Sequence, residues 1–395
     1  MPACPIAPTA PASRRRPRRA AGRRALPLIV AILGAGWTSL AAAQGVVELG
    51  RPDAVLAEPF SQVRGVRELA DGRVLVTDWI EERLVVIDPG FARVTPLGRT
   101  GAGPQEYRLP AALWPMAGDS TLLSDVGNGR FLVVTPQGRF ARVIPTERPG
   151  LGSTSGVDAQ GRLYFAMPAW ARGPSRLPED SLEVFRYDPR TDRTERLAVV
   201  KGMTPRANRG PRLTPGFPMV ALAGQDAWRV LPSGDLLVVR TGDYRVERIG
   251  AAGTSSGPSH QYQPEPVRPA DRTDFVRDFM ARSPTSGRGP DGGMGHSPVA
   301  SEAEIAQMVE TNEFAATLPP FERALLAPDG ELWVQRGRHA GAPTVWDRFD
   351  TGGRRIGQVR TAANQLVVAI GRRHLYVSAT DADGLQNLER HLRPR

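Results

Sequence analysis

Asp125-Val-Gly-Asn128-Gly-Arg130-Phe-Leu-Val-Val-Thr-Pro-Gln-Gly138 is the stretch from which the rest of the chain can be read. An Asp closes one strand, a polar turn follows, an Arg opens the next apolar strand, and a Gly turn ends it. The same order occurs in Asp78-Trp-Ile-Glu-Glu-Arg83-Leu-Val-Val-Ile-Asp88-Pro-Gly90. Both the Asp pair and the Arg pair are 47 residues apart.

A repeat of about 40–50 residues built from short strands is the mark of a β-propeller. Six units follow from the Gly-bearing turns and the apolar runs after them: Val74-Leu-Val-Thr77, Leu122-Leu-Ser124, Leu163-Tyr-Phe165, Leu236-Leu-Val-Val239, Leu332-Trp-Val334 and Leu375-Tyr-Val377. Each is followed by a third strand. The sixth unit lacks a fourth, because only Arg-Pro-Arg remains after Leu392. Val46-Val-Glu-Leu49 is expected to supply it as the outer strand of the last blade, closing the ring and removing open sheet edges. The expected class is all-β: a six-bladed propeller spanning about 46–392 with one helical insertion.

The N-terminus is read separately. Residues 1–24 hold Arg14, Arg15, Arg16, Arg18, Arg19, Arg23 and Arg24; an apolar run from Ala25 and then Ala41-Ala-Ala43 follow. This is the layout of a secretory signal cleaved after Ala43, with an uncleaved anchor as the alternative. Residues 1–43 carry seven Arg and no acid, so their removal lowers the formal charge from +10 to +3. The basic balance therefore belongs largely to the signal, and a nucleic-acid partner loses its support. The one cysteine, Cys4, also falls in that segment, so the expected periplasmic or secreted chain has neither disulfide nor thiol chemistry.

The motif Asp-x-x-Asn-x-Arg before an apolar strand, together with Gly98-Arg-Thr-Gly-Ala-Gly-Pro-Gln-Glu-Tyr107-Arg-Leu-Pro110, resembles the NHL repeat and its Gly-rich connector. The resemblance covers residues 60–140 best and is similar to exported bacterial six-bladed propellers. Arg240, Arg336, Ala379 and Met167 stand where the motif has Asp78. What it implies is a fold; the family holds binding platforms and a few enzymes, so no single activity follows.

Surplus chain falls at about 168–180, 201–225 and 251–320. The third insertion predicts two helices. One places Phe275, Val276, Phe279 and Met280 on one face; the other starts at the capping box Ser301-Glu-Ala-Glu304 and continues through Ile305, Met308 and Val309. Residues 283–300 between them read as a mobile Gly-rich link. The insertion is expected to be either a lid over one mouth of the ring or a decoration on its side.

The ends of the second strands should share one mouth. Asp78, Asp125, Arg240 and Arg336 are the rim candidates for a polar ligand, and Trp79 and Trp170 are candidate exposed stacking surfaces. The competing reading of the Asp/Arg pairs is an ion pair that fixes the repeat. None of His260, His296, His339, His374 and His391 has ligand-pair spacing, and each is expected to be solvated. Asp381-Ala-Asp383-Gly384 lacks the distal Glu of a calcium loop and reads as a hairpin turn. No G-x-S-x-G elbow precedes a helix. No metal, cofactor or catalytic residue is assigned. The expectation is a monomeric binding platform for a polar ligand, peptide, glycan or protein partner; the alternative is a metal-dependent hydrolase or lyase, lactonase-like, with its site at the ring centre.

Overall fold

The computed structural model describes residues 45–206, 219–282, 284–288, 294–296 and 300–394. The expected signal, residues 1–43, lies outside them, as do parts of the two longer insertions.

Six sheets each place their first strand beside the second, then the third, then the outermost. Blade one runs Val63–Glu68, Val74–Asp78, Arg83–Ile87 and Val94–Pro96. The first strands of neighbouring blades touch in sequence, and that of blade six touches that of blade one, so they form a closed ring. Six apolar clusters follow, each straddling one seam between adjacent blades. Trp333 and Trp346 fill the seam between blades five and six, as expected for strand tryptophans. The ring is therefore held by blade-to-blade packing, each blade burying both faces.

The N-terminal segment closes the ring, but not through the expected residues. Val47–Glu48 lies parallel to Arg355–Thr361 as a fifth strand on blade five. The outer strand of blade six is Ala54–Val55, antiparallel to Gln386–Leu392. Phe60 and Gln386 then exchange both backbone hydrogen bonds, at 2.9 and 2.7 Å. Leu56 and Phe60 are 2% and 1% exposed and lock this segment into the seam of blades six and one. A two-residue Ala-Val strand has no sequence pattern of its own, so the β-branched run before it drew the assignment.

The strand order puts all three insertions at one end of the ring, with the ends of the second strands. Helices α1 (Pro269–Arg282) and α2 (Glu302–Thr311) form as their patterns require. Ser301 accepts from the Glu304 amide while Glu304 accepts from the Ser301 amide, the full capping box. Val276 and Ile305 are buried together with Ala221, and Phe275, Phe279, Met308 and Phe314 pack around them. The insertion thus has its own small core, shared with the connection between blades three and four. Within the link expected to be mobile, Pro284–Arg288 pairs with Met294–His296 as a short hairpin.

Candidate functional site

The Asp residues at the ends of the second strands are wholly buried and bind the chain around them. Asp78 accepts from the amides of Ser61, Gln62, Ile80 and Glu81 at 2.9–3.3 Å. Arg83 stands 3.8 Å away and pairs more closely with Glu58, at 2.5 Å. Asp125 accepts from the Arg108 amide at 2.7 Å and from Arg130 Nε at 2.6 Å. Arg130 continues to the carbonyls of Ala102, Gly103 and Glu106, clamping the Gly-rich connector. Blades four and five carry the same bracing with the charges exchanged. Arg240 meets Asp226 and Glu247 at 2.8 and 2.7 Å, and Arg336 meets Asp347 at 2.8 Å. Trp79 is 4% exposed beneath the Arg64 guanidinium and offers no exposed stacking face; Trp170, 60% exposed, does.

Helix α1 crosses this end of the ring. Near its start, Asp271 accepts from the Ala340 amide and contacts His339 Nδ1, at 2.8 and 2.9 Å, in the loop after the second strand of blade five. Near its end, Gln62 Nε2 donates to the Ala281 carbonyl at 3.2 Å, just before the innermost strand of blade one. Blade six lies between these two anchors. Fourteen residues at about 1.5 Å each give a span of roughly 21 Å, long enough for a chord across the mouth.

Glu322, on the innermost strand of blade five, stands below that chord. Its oxygens accept from Gln335 Nε2 at 2.6 Å and from the Arg338 amide at 3.2 Å. Glu322 keeps exposed surface, yet burial pushes its carboxyl up, against the Arg338 amide and the Arg338 and Arg323 charges and with help from Asp278 on α1. A side chain that is open to solvent and still desolvated is crowded by the chain around it, here Gln335, the Arg338 amide and Asp278 of α1. Gln335 is 3% exposed, and its Oε1 receives no donor among the described residues; nor does Gln62 Oε1. Each amide orientation is fixed by the acceptor on its nitrogen, so two buried acceptor oxygens remain for a ligand or water.

His339 also joins the insertion to blade five. Its Nδ1 lies 2.9 Å from Asp271 and its Nε2 lies 2.8 Å from Glu265. The expectation of solvated histidines fails here and at His391, which is 1% exposed and placed between the Gly50 carbonyl and Glu389. Both partners of His339, and the Gly50 carbonyl at His391, are brought near only by folding. Among the described residues no group of three His, Cys, Asp or Glu side chains is placed to share a metal ion.

No family model matches the chain, and no curated protein matches it. Solved structures do. A conjectured exported protein from Bacteroides fragilis is 12% identical over 89% of this chain and 95% of its own, with a TM-score of 0.44. The calcium-binding protein regucalcin from Agrobacterium tumefaciens is 12% identical over 88% and 97%, TM-score 0.40. A gluconolactonase from Xanthomonas campestris is 14% identical over 88% and 98%, TM-score 0.40. At such values the likeness carries no argument about activity; the fold rests on the blade topology above.

Proposed function

We propose that this chain is an exported NHL-type propeller that binds a small polar ligand in the lumen beneath α1. One observation carries the reading: α1 runs from His339 and Ala340 to Gln62 over the Glu322 side, where the buried amide oxygens of Gln335 and Gln62 meet no donor among the described residues. In this reading Glu322, Gln335 and Gln62 meet the ligand. Asp78, Asp125, Arg240 and Arg336 act as positioning residues of the mouth, and Asp78 does so directly by holding the Gln62 amide. Helices α1 and α2 form the lid, and ligand exchange requires the contacts at Ala281 and Asp271 to open. Export rests on residues 1–43, as read from the sequence.

Glu322→Gln tests the reading. A carboxyl raised in the folded state adds stability below its unfolded value near 4.5 and loses it as pH rises through the folded value. Removing the charge is therefore expected to leave the melting temperature at pH 7 unchanged or higher. Mature protein purified from its native host is expected to release a polar small molecule on denaturation. Glu322→Gln is expected to retain about a tenth of it or less, the loss of one hydrogen-bonded contact to the ligand. Equal release from both proteins would remove Glu322 from the site.

The second reading, a hydrolase or lyase at the ring centre, draws on the same carboxyl, since a raised Glu serves general acid–base work. Turnover of a lactone panel by the wild type and not by Glu322→Gln would favour it.

A further inference from the structure

The innermost strands of blades one and four carry an arginine at the same register. Arg67 stands opposite Leu75 and Arg229 opposite Leu237, each the second residue of the next strand. Arg67 crosses its seam to the hairpin of blade two. Its Nη2 meets Asp119 Oδ1 at 2.8 Å, and its Nη1 reaches the Asp119 carbonyl at 3.2 Å and the Thr121 hydroxyl. The other Asp119 oxygen accepts from the Ala70 amide at 2.8 Å.

The seam between blades four and five keeps the cation and lacks everything that answers it. Asp119 stands two residues before the second strand of blade two; Gly330 holds that place in blade five, and Leu332 that of Thr121. A Cβ on Gly330 would lie 3.6 Å from Leu231, which confirms that Gly330 sits against the blade-four hairpin. Pro232 stands where Ala70 does, so the amide that Asp119 serves is gone too. Arg229 Nη1 donates to the Trp228 carbonyl at 2.7 Å, and among the described residues no carboxylate meets the guanidinium. The acids of the two adjoining hairpins are engaged elsewhere: Asp235 by Arg248 at 2.6 Å, Asp329 by Arg393 at 2.9 Å and Glu331 by Arg348 at 2.5 Å. Arg229 keeps part of its surface open. Burial lowers both guanidinium groups to about 10, but only Arg67 has an acid that pulls back.

We propose that the seam between blades four and five is a carboxylate-binding site, where the carboxylate of a small ligand takes the place that Asp119 holds beside Arg67. The free Nε–Nη2 edge of a guanidinium matches the two oxygens of a carboxylate side by side. The first-to-second-strand hairpins lie at the ring end opposite α1, so the site is independent of the lumen reading.

Arginine modification by 2,3-butanedione, mapped by mass spectrometry on the folded protein, tests it. Arg229 is expected to react several-fold faster than the paired Arg67. Acetate near ten times its Kd is expected to slow that reaction about tenfold, by occupancy alone. Acetate is also expected to raise the melting temperature of the wild type and not of Arg229→Gln. Equal reactivity of the two arginines, protection by chloride equal to that by acetate at matched ionic strength, or an equal acetate shift in both proteins would overturn the assignment.

Discussion

A chain lacking residues 45–60 is expected to lose ring closure and much of its stability. The deletion removes the Ala54–Val55 strand, the paired backbone bonds of Phe60 and Gln386, and the Leu56 and Phe60 side chains from the seam of blades six and one. The two side chains alone contribute about 3–6 kcal/mol. The deletion also exposes the edge of Gln386–Leu392, so aggregation on heating is expected. Deleting only 45–48 is the control, since Leu49 packs on the seam of blades five and six and the Gly50 carbonyl meets the buried His391. Val47 is half exposed and the Glu48–Arg360 pair lies at the surface, so about 1–2 kcal/mol is expected. Urea unfolding of the two deletions side by side measures the difference. Equal losses would mean that Val47–Glu48 closes the ring after all.

Asp347→Ala is expected to cost about 3–5 kcal/mol, because it strands buried donors rather than merely deleting a contact. Asp347 is wholly buried and receives Arg336 Nε at 2.8 Å, Gln358 Nε2 at 2.7 Å and the Tyr244 hydroxyl from blade four. Burial and the Asp347 charge hold that hydroxyl well above the usual tyrosine range. Adding Arg336→Met to the alanine variant should recover part of the loss, since the uncompensated cation then goes as well. Denaturant unfolding of the single and double variants reads both effects, and additive losses would contradict this account of the network.

The blades were legible because a strand repeat writes itself into spacing: Asp78 and Asp125, their arginines and the Gly turns fixed the count and the direction of each unit. The helices were legible because the apolar face of α1 and the capping box of α2 are local patterns. Closure by Ala54–Val55 was not, because two residues with no alternation derive their pairing from the far end of the chain. The braces at Arg240 and Arg336 were hidden by exchanged charges: their acids, Glu247 and Asp347, sit within the third strand. Glu322 gave no signal because its meaning depends on α1 lying above it. The carboxylates at His339 come from 68 and 74 residues away, beyond any spacing rule.

The enclosed lumen beneath α1 is the claim on which the proposed function stands, and a cysteine at position 322 measures it most directly. Without residues 1–43 the chain carries no other thiol. In Glu322→Cys, methyl methanethiosulfonate is expected to label the thiol readily, while a bulky maleimide is excluded until the protein is unfolded. Equal labelling by both reagents would place position 322 on open surface, and labelling by neither would leave no lumen for a ligand to occupy; either result contradicts the account.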